Sequence, residues 1–173
     1  MNERNIEIRR LSETDVEDYR AIRLAALKFA PEAFGSSYET EIERPLSHFA
    51  ERLQTSIVFA AYRGDEIVGM AGMRQEEGEK RRHNGFLWGV FVARDHRRLG
   101  VARAMIEAVL NAAQGVVEQV SLVVVKDNLA ALALYEALGF MRFGLEPRAL
   151  KIDGVYYDQV LMLKTLSAPA PVP

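Results

Sequence analysis

Gly85 to Ala113 reads GFLWGVFVARDHRRLGVARAMIEAVLNAA, and this stretch decides the fold. It divides into an apolar strand (Gly85 to Val92), a short basic turn and an amphipathic helix. The helix places Val101, Met105, Ala108, Val109 and Ala112 on one face. The turn carries Arg97-Arg98-Leu99-Gly100-Val101-Ala102, an R-x-x-G-x-A pattern. The first amides of a helix lack intrahelical partners, so those from Arg97 to Arg103 form a ready anion site. Gly100 and the small Ala102 let the backbone approach such an anion closely, and the arginines add charge. Two readings fit: a cradle for the diphosphate of a nucleotide-bearing cofactor, or an ordinary strand-to-helix turn with solvated arginines. The G-K-[ST] ending of a P-loop is absent, as is the three-glycine spacing of a dinucleotide-binding fold.

Working outward, Ile6 to Arg9 reads as a short strand, and Thr14-Asp15-Val16-Glu17 fits a capping box that opens a helix. Val16, Tyr19, Ile22, Ala26 and Phe29 make one apolar stripe, and Pro31 ends it. PEAFGSSYETEIER (31–44) reads as a loop with room for one helical turn. Pro45 opens a second helix carrying Leu46, Phe49 and Leu53. Ser56 to Tyr62 and Ile67 to Met73 form a hairpin about Arg63-Gly64-Asp65-Glu66. Gln75 to Asn84 is a charged loop, and Gly89 marks a bulge or close approach in the strand that follows. Gln119 to Val125 is apolar on both faces, the mark of a central strand. Asn128 caps a helix running to Leu138, with Gly139 at its end. Met141 to Leu145 and Val155 to Lys164, joined through Asp153-Gly154, close the chain. The order is β-α-α-β-β-β-α-β-α-β-β, without a repeat or an internal linker.

The bulk composition agrees with one domain over residues 1–166, followed by a Pro/Ala-rich tail, SAPAPVP (167–173), expected to be disordered. The net charge of -2 argues against non-specific nucleic-acid binding, though the arginines are locally clustered. The sequence contains no cysteine, which removes disulfides, thiolate nucleophiles and cysteine-based zinc sites. His48, His83 and His96 show no metal-ligand spacing, and His96 reads as solvated. The charged start, MNERNIEIRR, is not a signal sequence, and no apolar run reaches the roughly 18 residues of a membrane span. The cytoplasm is the expected location.

A second constellation lies downstream. Asn128 to Phe140 reads NLAALALYEALGF, with Asn128 at the end of the apolar strand and Tyr135 two turns into the helix. The Asn amide suits an amide-rich ligand arm and the Tyr hydroxyl suits proton donation to a leaving group. The competing reading makes Asn128 an N-cap and Tyr135 a half-buried packing residue.

Strand, R-x-x-G-x-A turn, helix, strand and N-x-x-A-x-x-L-Y-x-x-L-G-F together resemble the acetyl-CoA-binding half of the GNAT superfamily of N-acetyltransferases. Arg97, Gly100 and Ala102 match the first motif; Asn128, Ala131, Leu134, Tyr135, Leu138, Gly139 and Phe140 match the second. PEAFGSSYETE is similar to a stretch common in bacterial members. The resemblance implies a mixed α/β (α+β) fold: a mostly antiparallel twisted sheet of about seven strands, flanked by four helices. It implies that the backbone of Val90, Phe91 and Val92 pairs with the pantetheine arm of acetyl-CoA. The turn, from Arg97 through Arg98, Leu99, Gly100, Val101 and Ala102 to Arg103, would hold the diphosphate. Asn128 would bind the cofactor arm and Tyr135 would protonate the departing CoA thiolate. A primary amine, on a small molecule or an exposed protein site, would attack directly. Homodimers are frequent in the family, and the closing strands are the expected pairing surface.

One part of the pattern is absent. Some members carry a glutamate on the strand before the turn, which here has no carboxylate. Others, of the ribosomal-protein-modifying type, carry one five residues before the motif Asn, where this chain has Val123. Glu39, Glu41, His83, Asp158 or a water chain remain as acceptors of the amine proton. The missing base also keeps open a non-catalytic acyl-CoA-binding sensor or partner-binding module. The acceptor pocket is expected from 32–44, 75–84 and 147–157.

Overall fold

A computed structural model describes residues 6–166; the tail at 167–173 lies outside the described residues. Seven strands form one sheet in the order β1-β2-β3-β4-β5-β7-β6. They are β1 (Ile6–Arg10), β2 (Ser56–Arg63), β3 (Glu66–Gln75), β4 (Asn84–Val92), β5 (Gln119–Val125), β6 (Met141–Ile152) and β7 (Val155–Thr165). All neighbours are antiparallel except β4 and β5. The helices are α1 (Val16–Phe29), α2 (Tyr38–Ile42), α3 (Leu46–Thr55), α4 (Val101–Ala113) and α5 (Leu129–Ala137). The sheet matches the expected seven strands. Five helices replace the expected four, because the 31–44 segment winds one short helix capped by the Ser37 hydroxyl on the Thr40 amide.

Each sheet face buries its own core. On one face α1 and α3 pack Tyr19, Leu27, Phe49 and Leu53 against Val58 and Met70. On the other, Met105, Ile106 and Val109 of α4 pack with Val68, Leu122 and Met162, and α5 adds Leu132. The α1 stripe differs from its expected form at its ends. Phe29 is 72% exposed, while Arg23 and Leu27 are buried, so the buried face is turned about one residue from the predicted stripe. The capping box is also displaced: the Ser12 amide donates to the Asp15 carboxylate at 2.8 Å, two residues before the predicted Thr14–Glu17 pair.

The closing hairpin is longer than expected. β6 continues past Pro147 to Ile152 because a register shift between Glu146 and Leu150 absorbs the proline. Arg148, in the left-handed region at φ 53°, donates its amide to Asp158 at 2.9 Å. Asp153 and Gly154, both at positive φ, make the expected tight turn.

The sheet opens at its centre. β4 and β5 pair only from Asn84 to Phe86 against Gln119 to Ser121. Beyond that point β4 carries a bulge. Met70 faces Phe91 and Gly72 faces Trp88, so Ala71 lies opposite both Gly89 and Val90. Gly89 adopts φ 67°, which bends the strand without the strain a side chain would bring. β5 stays fully paired to β7. Its Val123, expected in a two-sided apolar core, is therefore 38% exposed on the gap.

Candidate active site

The gap between β4 and β5 continues into a cleft of about 1630 Å³. Its mouth is the start of α4, its floor is β4 from Phe86 to Val92, and Val123 to Val125 with α5 form the opposite wall. Seven arginines and four carboxylates line it, so the cleft is basic within a chain of net charge -2. Among the described residues, no cluster of His, Cys, Asp and Glu suited to a metal ion is present.

At the mouth, Arg98 (φ 62°) and Gly100 (φ 77°) both take left-handed conformations, which wraps the turn into a concave backbone. The first α4 amide to find a backbone partner is Ala104, on the Gly100 carbonyl at 3.0 Å. The amides of Val101, Ala102 and Arg103 therefore face outward with the positive end of the helix dipole. A Cβ built on Gly100 meets nothing within 4 Å, so glycine answers here to its φ and leaves open space. Leu99 is exposed at the tip.

The arginines of the turn divide. Arg97, expected to lend charge to the anion, donates Nε to the Val92 carbonyl at 2.9 Å and ties the turn to the end of β4. Arg103 pairs with Glu107 at 3.2 Å on the helix surface. Arg98 forms no ion pair among those between described residues. His96 is buried, not solvated as expected: Nε2 lies 3.5 Å from Arg63 and Nδ1 is unpartnered.

Phe91 and Val92 pair with β3 on one side, and their other edge faces the opened gap. Val90, in the bulge, is half-buried and lines the cleft. Asn128 is exposed and caps α5, with Oδ1 accepting from the Ala131 amide at 3.1 Å. Its amide nitrogen is the group left for a ligand. Tyr135 is 8% exposed, lines the cleft and meets Phe140 edge-on at 5.8 Å. Burial raises the pKa of its hydroxyl, so it is protonated at neutral pH.

The expected proton acceptors do not converge on the cleft. Glu39, Glu41, His83 and Asp158 are all absent from its lining. Asp158 caps Arg148. Glu41 is buried beneath α1. Burial alone would raise its pKa, but the hydrogen bonds and charge of Arg23, with the charge of Arg52, hold it at about 2. The cleft carboxylates are instead Glu32, Glu76, Glu77 and Asp127, and Glu76 is paired with Arg81 at 3.1 Å.

Three residues of the cleft escaped the sequence reading: Arg23, Arg52 and Trp88. Arg23 donates Nε and Nη2 to the two Glu41 oxygens at 3.0 and 2.8 Å. Arg52 reaches the same carboxylate at 3.2 Å. The available signal was Arg23 itself, four residues after Tyr19 and so on the apolar face of α1, where an arginine requires an acid partner.

A sheet split beside an unsatisfied, basic helix start makes a cleft whose shape and charge suit an extended, phosphate-bearing ligand. The acetyltransferase (GNAT) family model matches residues 19–140, and the chain belongs to this family. Human N-acetyltransferase 8 is 35% identical over 101 residues, which are 57% of this chain and 43% of that protein. The chain thus spans less than half the length of that relative. Among solved structures, the GNAT-family acetyltransferase of Streptococcus pneumoniae superposes with a TM-score of 0.83 at 21% identity, covering 93% of this chain and 99% of that one. The yncA protein of Salmonella typhimurium, solved with its cofactor acetyl-CoA, gives 0.79 at 17%, covering 96% and 98%. These two likenesses confirm the fold.

Proposed function

We propose that the protein is an N-acetyltransferase that moves an acetyl group from acetyl-CoA to a primary amine. The carrying observation is the opened β4–β5 pair beside the unpartnered amides of α4. The residues fit acetyl-CoA: free amides and Arg98 suit the diphosphate, and the unpaired edge of Val90 to Val92 suits an amide-bearing arm laid down like a strand. Asn128 Nδ2 adds one polar group along that arm. When bound, the co-substrate supplies an activated acyl thioester.

The chain's own part in the reaction is positional and protonic. The amine arrives unprotonated and forms the N–C bond as the C–S bond breaks. Its surplus proton leaves through the open cleft. Tyr135 holds a proton at its hydroxyl, gives it to the departing sulfur and regains one from the cleft water that took the amine's proton; burial keeps the hydroxyl protonated until it is needed. The half of the cleft away from α4 is lined by Glu32 to Gly35, Gln75 to Glu77, Arg81, Leu150 and Tyr157, the acceptor side.

Titration calorimetry with acetyl-CoA tests this reading. Wild type should bind at tens of micromolar or tighter. Gly100→Glu, which adds a charge and a Cβ at φ 77°, should weaken binding at least tenfold, about 1.4 kcal/mol. Equal binding by the variant refutes the diphosphate assignment. Amine-dependent thiol release separates the enzyme from a non-catalytic acyl-CoA-binding module.

For assembly, the exposed apolar side chains of the edge strand β6 favour pairing with a second copy; Met141 is 72% and Phe143 60% exposed. Among the described residues, no helix is long and apolar enough to cross a membrane.

A further inference from the structure

We propose that the acceptor amine carries a carboxylate one carbon from its nitrogen, so that the substrate class is a free α-amino acid, and that Arg23 is the residue that holds that carboxylate. The inference rests on the acetyl-transfer reading for the position of the amine and adds the chemistry of its partner group.

Arg23 is a buried cation with part of its hydrogen-bonding capacity unspent. Its side chain is 6% exposed. Nε and one Nη2 hydrogen are committed to Glu41, which leaves three of the five donors, the second Nη2 hydrogen and both on Nη1. Nη1 lies 3.9 Å from where a Cβ on Gly89 would stand, so it faces the β4 bulge from the α1 side. The indole N–H of Trp88, in the same wall, is buried and has no protein acceptor either. Donors therefore outnumber acceptors around this point. The buried indole donor is costly without an acceptor, and the guanidinium nitrogen left open to the cleft is suited to a planar carboxylate.

Charge points the same way. Glu41 compensates one positive charge, while Arg23 and Arg52 supply two, so this buried group carries a net positive charge. At this group a carboxylate completes the pairing and an ammonium does not; the carboxylates of the acceptor side, Glu32, Glu76 and Glu77, lie elsewhere in the lining.

Position then sets the spacing. The acetyl carbon belongs beside the free edge of β4 just past the bulge, and the amine must reach it. An anion at Arg23 Nη1 lies beside the same bulge, so a short molecule that carries amine and carboxylate close together fits both. A protein N-terminus or a lysine side chain has no carboxylate at that distance from its amine.

The test titrates the protein, saturated with CoA, with the free L-amino acids, their carboxamides and the corresponding decarboxylated amines. Thiol release from acetyl-CoA is followed with the same panel. At least one amino acid should bind at least tenfold more tightly than its carboxamide and its decarboxylated amine. Equal or better binding of the uncharged analogues overturns the inference, as does failure of every amino acid to bind. Carboxylate-dependent binding without thiol release supports the carboxylate site and refutes the acetyl-transfer reading. In Arg23→Gln/Glu41→Gln, which removes both members of the buried pair, the acid-over-amide preference should vanish while acetyl-CoA affinity stays within about threefold. A retained preference overturns the role of Arg23. Should the double variant not fold, the wild-type ratio of acid to amide still decides.

Discussion

Glu41 shows what a buried carboxylate does when two arginines surround it. Its pKa falls from the ordinary 4.5 to about 2, so its folded form holds a proton less readily than its unfolded form. The resulting stability is fully present above pH 4.5 and is lost as pH falls toward 2, an effect of about 3 kcal/mol at most. Glu41→Gln should therefore destabilise the protein by about 3 kcal/mol at pH 7, since it strands Arg23 as an unpaired buried cation. Urea unfolding at pH 7, 4 and 3 checks the sign: the gap between wild type and variant should shrink as pH falls. A gap independent of pH would mean that the carboxylate's charge does not stabilise the fold. The same residue illustrates what a linear sequence hides. Glu41 stood among the candidate bases because it lies in a polar loop; its partner Arg23 is 18 positions away on a helix face. Tyr135 was singled out by its motif, and the structure places it buried in the cleft lining, where the proposed proton donor would stand. Tyr135→Phe should lower kcat by roughly 10²-fold or more while the acetyl-CoA dissociation constant moves less than about threefold. An unchanged kcat, in a regime where chemistry limits turnover, removes the acid role.

At the level of elements, periodicity and caps carried most of the information. The strand–turn–helix at Gly85 to Ala113, the Gly89 bulge and the Asp153-Gly154 turn follow from local rules, and the structure reproduces them. Elements shaped by distant partners were less legible. The continuation of β6 past Pro147 depends on Asp158 receiving the Arg148 amide, and Arg97 turns inward because the Val92 carbonyl lies within its reach. Close packing between β3 and β4 offers a direct test. The Trp88 ring lies across Gly72, and a Cβ there would approach Cζ2 to 2.7 Å. Gly72→Ala should cost about 1–3 kcal/mol by overpacking and should move the ring. Trp88 is the only tryptophan, so its emission reports that movement directly, alongside the denaturation midpoint. A variant with unaltered emission and stability would show that the ring does not depend on the absent Cβ.

At the scale of the whole molecule, the sheet is two slabs that share the core beneath α4 but have little backbone pairing with each other. β1 to β4 form one, β5, β7 and β6 form the other, and three residue pairs between β4 and β5 connect them. Periodicity supplied both slabs, but not the gap. The apolar run from Leu122 to Val125 cannot reveal it, because that run looks the same whether β4 lies alongside or bends away. The gap follows from where parallel pairing stops and the bulge begins, and it makes ligand binding a structural event for the entire fold. A ligand laid along β4 and against β5 touches both slabs and replaces the pairing that they do not make with each other. Acetyl-CoA at one hundred times its dissociation constant should stabilise the protein by about 2.7 kcal/mol through mass action. The spatial pattern is the more telling measurement. Amide hydrogen exchange should slow together in Val90 to Val92 and in Val123 to Val125, on the two sides of the gap, and at the start of α4. Protection confined to α4 would mean that only the diphosphate end engages and that the strand edges are not the rail for the thioester arm.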